Sequence, residues 1–242
     1  MKKASSYLST GEIEKITVKL YDANLTVKSY QGVQVKVEFN GAAKSVFKEQ
    51  NGELIILQKK PIFIGKLRKP CYTVFIPESI VPDLNITATD AYVDVRDGIF
   101  KEIKYFSESG KFYTHYCYFD GGNISGIDTE INLYDSTFKS PLTINGVSGD
   151  VYTENCYFKC IDVNVQFSSI GSANLHCPTC FLRTEQSNVT ARLVGCKEDF
   201  SINIKDRHGE NLTSDGENKL VIYAPEGTAV TEFTTEFKEA EL

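Results

Sequence analysis

The sequence predicts an all-β fold: a single-stranded, right-handed β-solenoid with about 19–20 residues per coil and an N-terminal β-hairpin cap. Three observations carry this. The stretch Leu142 to Cys156 reads as a short alternating strand, a Gly turn and a second alternating strand, and the pattern returns about twenty residues away in either direction. Apolar columns keep step with it: Val93, Phe112, Ile131 and Val151 fall at spacings of 19, 19 and 20, continued by Ala173 and Val189 at 22 and 16. Ile86, Tyr105, Ile124 and Ile144 run seven residues upstream, continued by Val165, Leu182 and Ile202. A third column is aromatic: Phe100, Phe119, Phe138, Phe158, Phe181 and Phe200. A fourth is small or sulfur-bearing: Gly98, Cys117, Ser136, Cys156, Cys177 and Cys196. Period-two alternation of Val, Ile, Tyr, Phe and Thr favours strands. A leucine-rich repeat is excluded because its Leu-x-x-Leu-x-Leu core is missing. Successive coils should lie about 4.8 Å apart, with like residues stacked on like.

In chain order, residues 10–83 are read as N-terminal strands and cap, 84–205 as regular coils, and 206–242 as a C-terminal coil and tail, all in one solenoid domain of roughly seven to nine coils. Alternating runs at Ile16-Val18-Leu20, Leu25-Val27 and Val33-Val35-Val37-Phe39 open the chain. The stretch Tyr21 to Lys28 echoes Thr89 to Arg96, so one coil is written twice. Strands at Glu53–Gln58 and Tyr72–Ile76, joined through Pro61, Gly65 and Pro70, are read as the hairpin that covers the end of the stack. Near the far end, Leu220 to Pro225 mirrors Val74 to Pro77, and Val230, Phe233 and Phe237 alternate with acidic residues in the tail.

Formal net charge is −6, which argues against nucleic acid as a partner. The basic cluster Lys59, Lys60 and Lys66 to Lys69 flanks Ile62, Phe63 and Ile64 and is read as an exposed hairpin tip. No apolar core follows Met1-Lys2-Lys3 and no run is long enough to span a bilayer, so the chain is expected in the cytoplasm, or at the cell surface if a leader has been removed. Seven cysteines are then expected as thiols.

The runs Ile16-Thr17-Val18 and Ala23 to Val27, the strand Tyr72 to Pro77 leading into Leu84-Asn85-Ile86, and the coil Ser148-Gly149-Asp150-Val151 resemble the bacterial putative-adhesin family. That family is a domain of unknown function with a β-solenoid fold. The resemblance covers about residues 10–230. It implies the fold and an adhesive role at a surface, and it implies no catalytic residues.

The candidate binding residues are Tyr113, His115, Tyr134, Tyr152 and Glu154, outward positions beside the Val93–Val151 column, flanked by Asp94, Arg96 and Asn132. Tyrosines interleaved with hydrogen-bonding groups on a flat sheet suit a protein or carbohydrate partner. No catalytic residue, metal site or cofactor is assigned. One alternative is a zinc-stapled solenoid. Cys156 would stack near Cys177, and Cys160 near Cys180, bringing four thiolates together. The bland reading of those cysteines is that small side chains fill tight corners. The other alternative is a carbohydrate-active β-helix enzyme, which needs paired carboxylates. Asp90, Asp94, Asp97, Asp120, Asp128, Asp135, Asp150 and Glu154 are instead spread one or two per coil. There is no nucleophile elbow, P-loop or HExxH.

Overall fold

Alternation along Tyr118–Tyr134 shows how one coil is made. Tyr118-Phe119 forms a short side, 122–127 a first long strand, and 129–134 a second. The bend between the long strands falls at Asp128, whose φ is 49°. The computed structural model describes residues 5–41, 44–59, 69–213 and 216–235. Lys60, Pro61, Ile62, Phe63, Ile64, Gly65 and Lys66 to Arg68 of the expected hairpin tip, and Phe237 of the tail, lie outside the described residues.

Parallel pairing stacks these coils. On the first sheet the register runs Leu54, Ile16, Leu84, Ile103, Gly122, Leu142, Ile161, Cys180, Leu220. On the second it runs Tyr72, Leu25, Val93, Phe112, Ile131, Val151, Ile170, Val189, Ala229. Nine levels result. Their inward side chains form one continuous core. On the short side Phe100, Phe119, Phe138 and Phe158 stack at 5.1, 4.8 and 5.1 Å between ring centroids. Each is almost completely buried, so each ring contributes about 1.5–3 kcal/mol of transfer free energy to the ladder.

The corners repeat as faithfully as the core. Left-handed backbone recurs at Asp22, Asp90, Ser109, Asp128, Ser148 and Phe167 at one corner, and at Asp97, Tyr116, Asp135, Asn155 and Asn174 at the next. Asp and Asn tolerate that region better than other side chains, which explains why acidic residues recur once or twice per coil. The small column follows directly after the second corner. Cys117 donates to the His115 carbonyl at 3.2 Å, Ser136 to Tyr134 at 2.6 Å and Cys156 to Glu154 at 3.3 Å. Each side chain therefore ties the corner back to the residue two before it.

The levels do not follow chain order at the ends. Lys15–Tyr21 and Asn24–Tyr30 form the second level, because Glu53–Gln58 and Cys71–Pro77 pair outside them and Asp83–Arg96 pairs on their other side. The duplicated coil is thus in direct register, Leu25 on Val93 and Val27 on Val95. At the far end Asn218–Ala224 lies between Thr179–Thr184 and Phe200–Asp206, so the strand written earlier is the outer one. Antiparallel strands finish both ends. Ser45–Gln50 closes on Glu53–Gln58, Lys36–Asn40 on Cys71–Pro77, Ser5–Leu8 on Lys36–Asn40, and Gly209–Thr213 on Phe200–Asp206.

Several expectations are corrected. The hairpin partner of Glu53–Gln58 is Ser45–Gln50, whereas Cys71–Pro77 belongs to the other sheet. Val33 is 92% exposed and precedes its strand. Ile170 replaces Ala173 in the first column, and Val163 and Ile222 replace Val165 and Ile202 in the second. Val163 and Val165 both face inward, and a slip of two residues preserves every face, so apolar pattern alone cannot choose between them. Phe181 points outward between Asp162 and Val221, and Phe200 packs on Phe233, so neither continues the aromatic ladder. The chain has left the regular coil path before Phe200.

Candidate binding face

Alternation on the second sheet turns Val93 and Val95, Phe112 and Thr114, Ile131 and Leu133 inward. The residues between them must face out. Register then assembles two rows: Asp94, Tyr113, Asn132, Tyr152, and Arg96, His115, Tyr134, Glu154. All five candidates therefore lie together on three adjacent levels. The rings of Tyr113, His115 and Tyr134 are 5.0–6.5 Å apart between centroids, with interplanar angles of 2° to 10°. Tyr152 joins at 6.0 Å from Tyr134, tilted by 54°. Most of these side chains are half-buried against their neighbours.

A third row was missed by the sequence reading. Tyr92, Lys111 and Glu130 stand one alternation step before the other two. Tyr92 meets Tyr113 at 5.1 Å, and Lys111 binds Glu130 at 2.5 Å. Counting back two residues from Tyr113 and Asn132 would have found them. Glu130 accepts from Asn132 at 2.9 Å and from the Tyr113 hydroxyl at 3.3 Å, and Tyr134 donates to Asn132 at 3.4 Å. Tyr152 donates to Glu154 at 3.3 Å. The polar groups around Glu130 thus form a connected net between the Tyr113 and Tyr134 rings, with the Tyr152–Glu154 pair beside it.

Electrostatics fix the charge states. The Lys111 hydrogen bond, reinforced by Asn132, holds the Glu130 carboxyl below its ordinary value. Burial pushes the Tyr113, Tyr134 and Tyr152 hydroxyls up, so they remain donors. His115 is lowered by burial first and by the nearby Arg96 cation second, which favours a neutral ring at pH 7. Asp94 is 2% exposed beneath this net and pairs with Arg96. Its Oδ1 and the Arg96 Nε have no hydrogen-bond partner among the described residues.

The cysteines do not converge as four. The bridge of Tyr157 to His176 sets Cys156 level with Leu175, and Ile161 rather than Cys160 lies against Cys180. Cys177 and Cys180 share a thiol hydrogen bond that lowers the first and raises the second well above its usual range. Burial raises Cys117 and Cys156 to about 12. Among the described residues no three His, Cys, Asp or Glu side chains group as a metal site. The acidic residues weighed for catalysis are likewise dispersed. Asp90, Asp97, Asp128 and Asp135 are corner residues, and Asp150 accepts from the Ser169 amide at 2.9 Å. Glu14, Glu53 and Asp83 do line one cavity of about 440 Å³. Hydrogen bonds from Thr17 and Lys15 hold Glu53 low, the opposite of what a proton donor needs.

A family model described as Toastrack DUF4097 matches residues 13–211. The chain belongs to the Toastrack DUF4097 family. This is the adhesin-like family of unknown function that its strand–turn–strand repeats resemble. Among solved structures, this Toastrack chain is similar to a putative cell adhesion protein from Clostridium sporogenes, with 12% identity, a TM-score of 0.42, and 96% and 100% of the two chains covered. It is also similar to a putative lipid binding protein from Parabacteroides distasonis, with 13% identity, a TM-score of 0.35, and 95% and 97% covered. No protein with a curated description matches it. No helix among the described residues is long and apolar enough to cross a membrane.

Proposed function

We propose that this Toastrack chain is a non-catalytic binding or scaffold protein that presents Tyr113, His115, Tyr134, Tyr152 and Glu154 to a protein or carbohydrate partner. The observation supporting this is the common orientation of the Tyr113, His115 and Tyr134 rings on two adjacent strands of a continuous sheet. Aromatic side chains held by neighbours lose little conformational freedom on binding, and the net around Glu130 supplies hydrogen bonds of both senses. A solenoid suits this work because its backbone fixes the spacing of the rows.

The test is a triple Tyr113, Tyr134 and Tyr152→Ser variant compared with the parent chain on a glycan array and by thermal melting. Loss of glycan retention with a melting temperature within about 3 °C supports the binding role, since that shift corresponds to under about 1 kcal/mol in a chain of this size. A large stability loss identifies the rings as packing residues. Equal retention by both proteins removes them from the site.

A further inference from the structure

The second sheet's tyrosines do not account for a separate hollow near the C-terminal end. Phe181, Val221, Asn203 and Leu212 form one transverse row across four strands, because Phe181 pairs with Val221, Val221 with Asn203, and Asn203 with Leu212. Their inward neighbours, Cys180, Leu182, Leu220 and Ile222, fill the core, so this row faces out. It floors a cavity of about 590 Å³, inside the range typical of small-molecule sites. Leu212 is 63% exposed there.

Charge gives the hollow its selectivity. The chain carries 32 acidic against 26 basic residues, yet no carboxylate among the described residues lines this cavity, while Arg183 and Lys219 both do. Both cations lie over the Phe181 ring, at 5.4 and 5.2 Å from its centroid. Arg183 is already committed to Asp162, at 2.8 and 3.4 Å. Lys219 makes no ion pair among the described residues, and its ammonium lies over the Phe181 ring. A mainly apolar floor, with Asn203 its one polar row member and Lys219 the cation without an ion pair among the described residues, matches a ligand with one negative charge on an apolar body. A doubly charged phosphate would leave one charge without a partner, which a partly desolvated site disfavours.

We infer that this hollow is a binding site for a small monocarboxylate with an apolar body, its head on Lys219 and its body on Phe181, Val221 and Leu212. The site shares no residue with the tyrosine face and stands or falls separately from it.

Saturation-transfer NMR on the full chain tests it with 4-phenylbutyrate as probe, neutral 4-phenylbutanol as its uncharged match, and phenyl phosphate as the dianionic one. Saturable binding of phenylbutyrate is expected, with phenylbutanol about tenfold weaker, the size of one charge-assisted contact. Lys219→Gln should weaken phenylbutyrate by about tenfold and leave phenylbutanol unchanged, while Lys219→Arg retains binding. Lys219 is exposed, so these variants leave the core intact. The triple tyrosine variant should bind phenylbutyrate as the parent chain does. Equal binding of acid and alcohol, an unchanged affinity in Lys219→Gln, or no saturation with any probe overturns the assignment. Lys219-dependent preference for phenyl phosphate overturns the monocarboxylate class.

Discussion

At a corner, one backbone angle decides which side chain is tolerated. Phe167 adopts φ 53° at a position where the equivalent residues are Asp128 and Ser148, and its ring is 53% exposed. Left-handed backbone at a bulky residue costs about 1–3 kcal/mol, and an exposed ring recovers little of it. Phe167→Asn is therefore expected to raise stability by about 1 kcal/mol, read as a higher melting temperature. A fall would mean that the ring packs more than its exposure implies. Histidines set a second prediction. Burial lowers His176, and burial with Arg96 lowers His115, so the folded chain takes up protons less readily than the unfolded one. Stability should then be full above the unfolded histidine value of about 6.5 and decline as pH falls through it. Denaturant titrations of a His115→Gln, His176→Gln double variant should show a flatter profile between neutral and mildly acid pH. Parallel loss in both proteins would assign the decline elsewhere. Further acidification protonates Glu53 and Glu130, whose lowered values add a second loss below the ordinary carboxylate range.

Along an element, the aromatic ladder and its imitators separate cleanly. Phe138 is fully buried between Phe119 and Phe158, so Phe138→Ala is expected to cost about 3–5 kcal/mol. Phe181 shares the sequence column but faces outward, and Phe181→Ala should cost under about 1 kcal/mol. Chemical denaturation of the two variants checks the contrast, and similar losses would contradict the register. The pair also shows how much was legible in advance. Phe100 to Phe158 were readable because each intervening coil keeps a length of 19 or 20 residues. Phe181 was misread because the register still advances by 19 residues there: the Tyr157–His176 bridge sets Cys177 level with Phe158, so the aromatic ring 23 residues on belongs to the next strand. The tyrosine face was readable for the same reason as the ladder, since Tyr113, Tyr134 and Tyr152 sit one step from inward residues in the regular coils. Asp94 was the exception. Alternation turned it outward, yet its 2% exposure depends on neighbouring side chains that no single strand reveals.

For the whole molecule, the order of levels matters more than their number. On the first sheet, edges that could recruit another chain are closed by antiparallel strands, Ser45–Gln50 at one end and Gly209–Thr213 at the other. Breaking the first closure with Lys48→Pro, opposite Ile55 in a hydrogen-bonded pair, removes a ladder donor and exposes Glu53–Gln58. Concentration-dependent oligomers in light scattering are the expected result, and a strictly monomeric variant would show that the remaining edge is protected by other means. Nothing in the sequence announced that a later strand would lie inside an earlier one, because periodicity records spacing along the chain and is silent about the sequence of assembly.

Asn218–Ala224 is in that sense a keystone. The two strands that flank it are already written when it arrives, and it enters a gap of two strand spacings, about 9.6 Å. A chain cut short before it would hold an empty berth with hydrogen-bonding groups on both walls. Such a berth fits an extended segment from any molecule that carries the same seven residues, which makes exchange between copies the natural failure of incomplete synthesis.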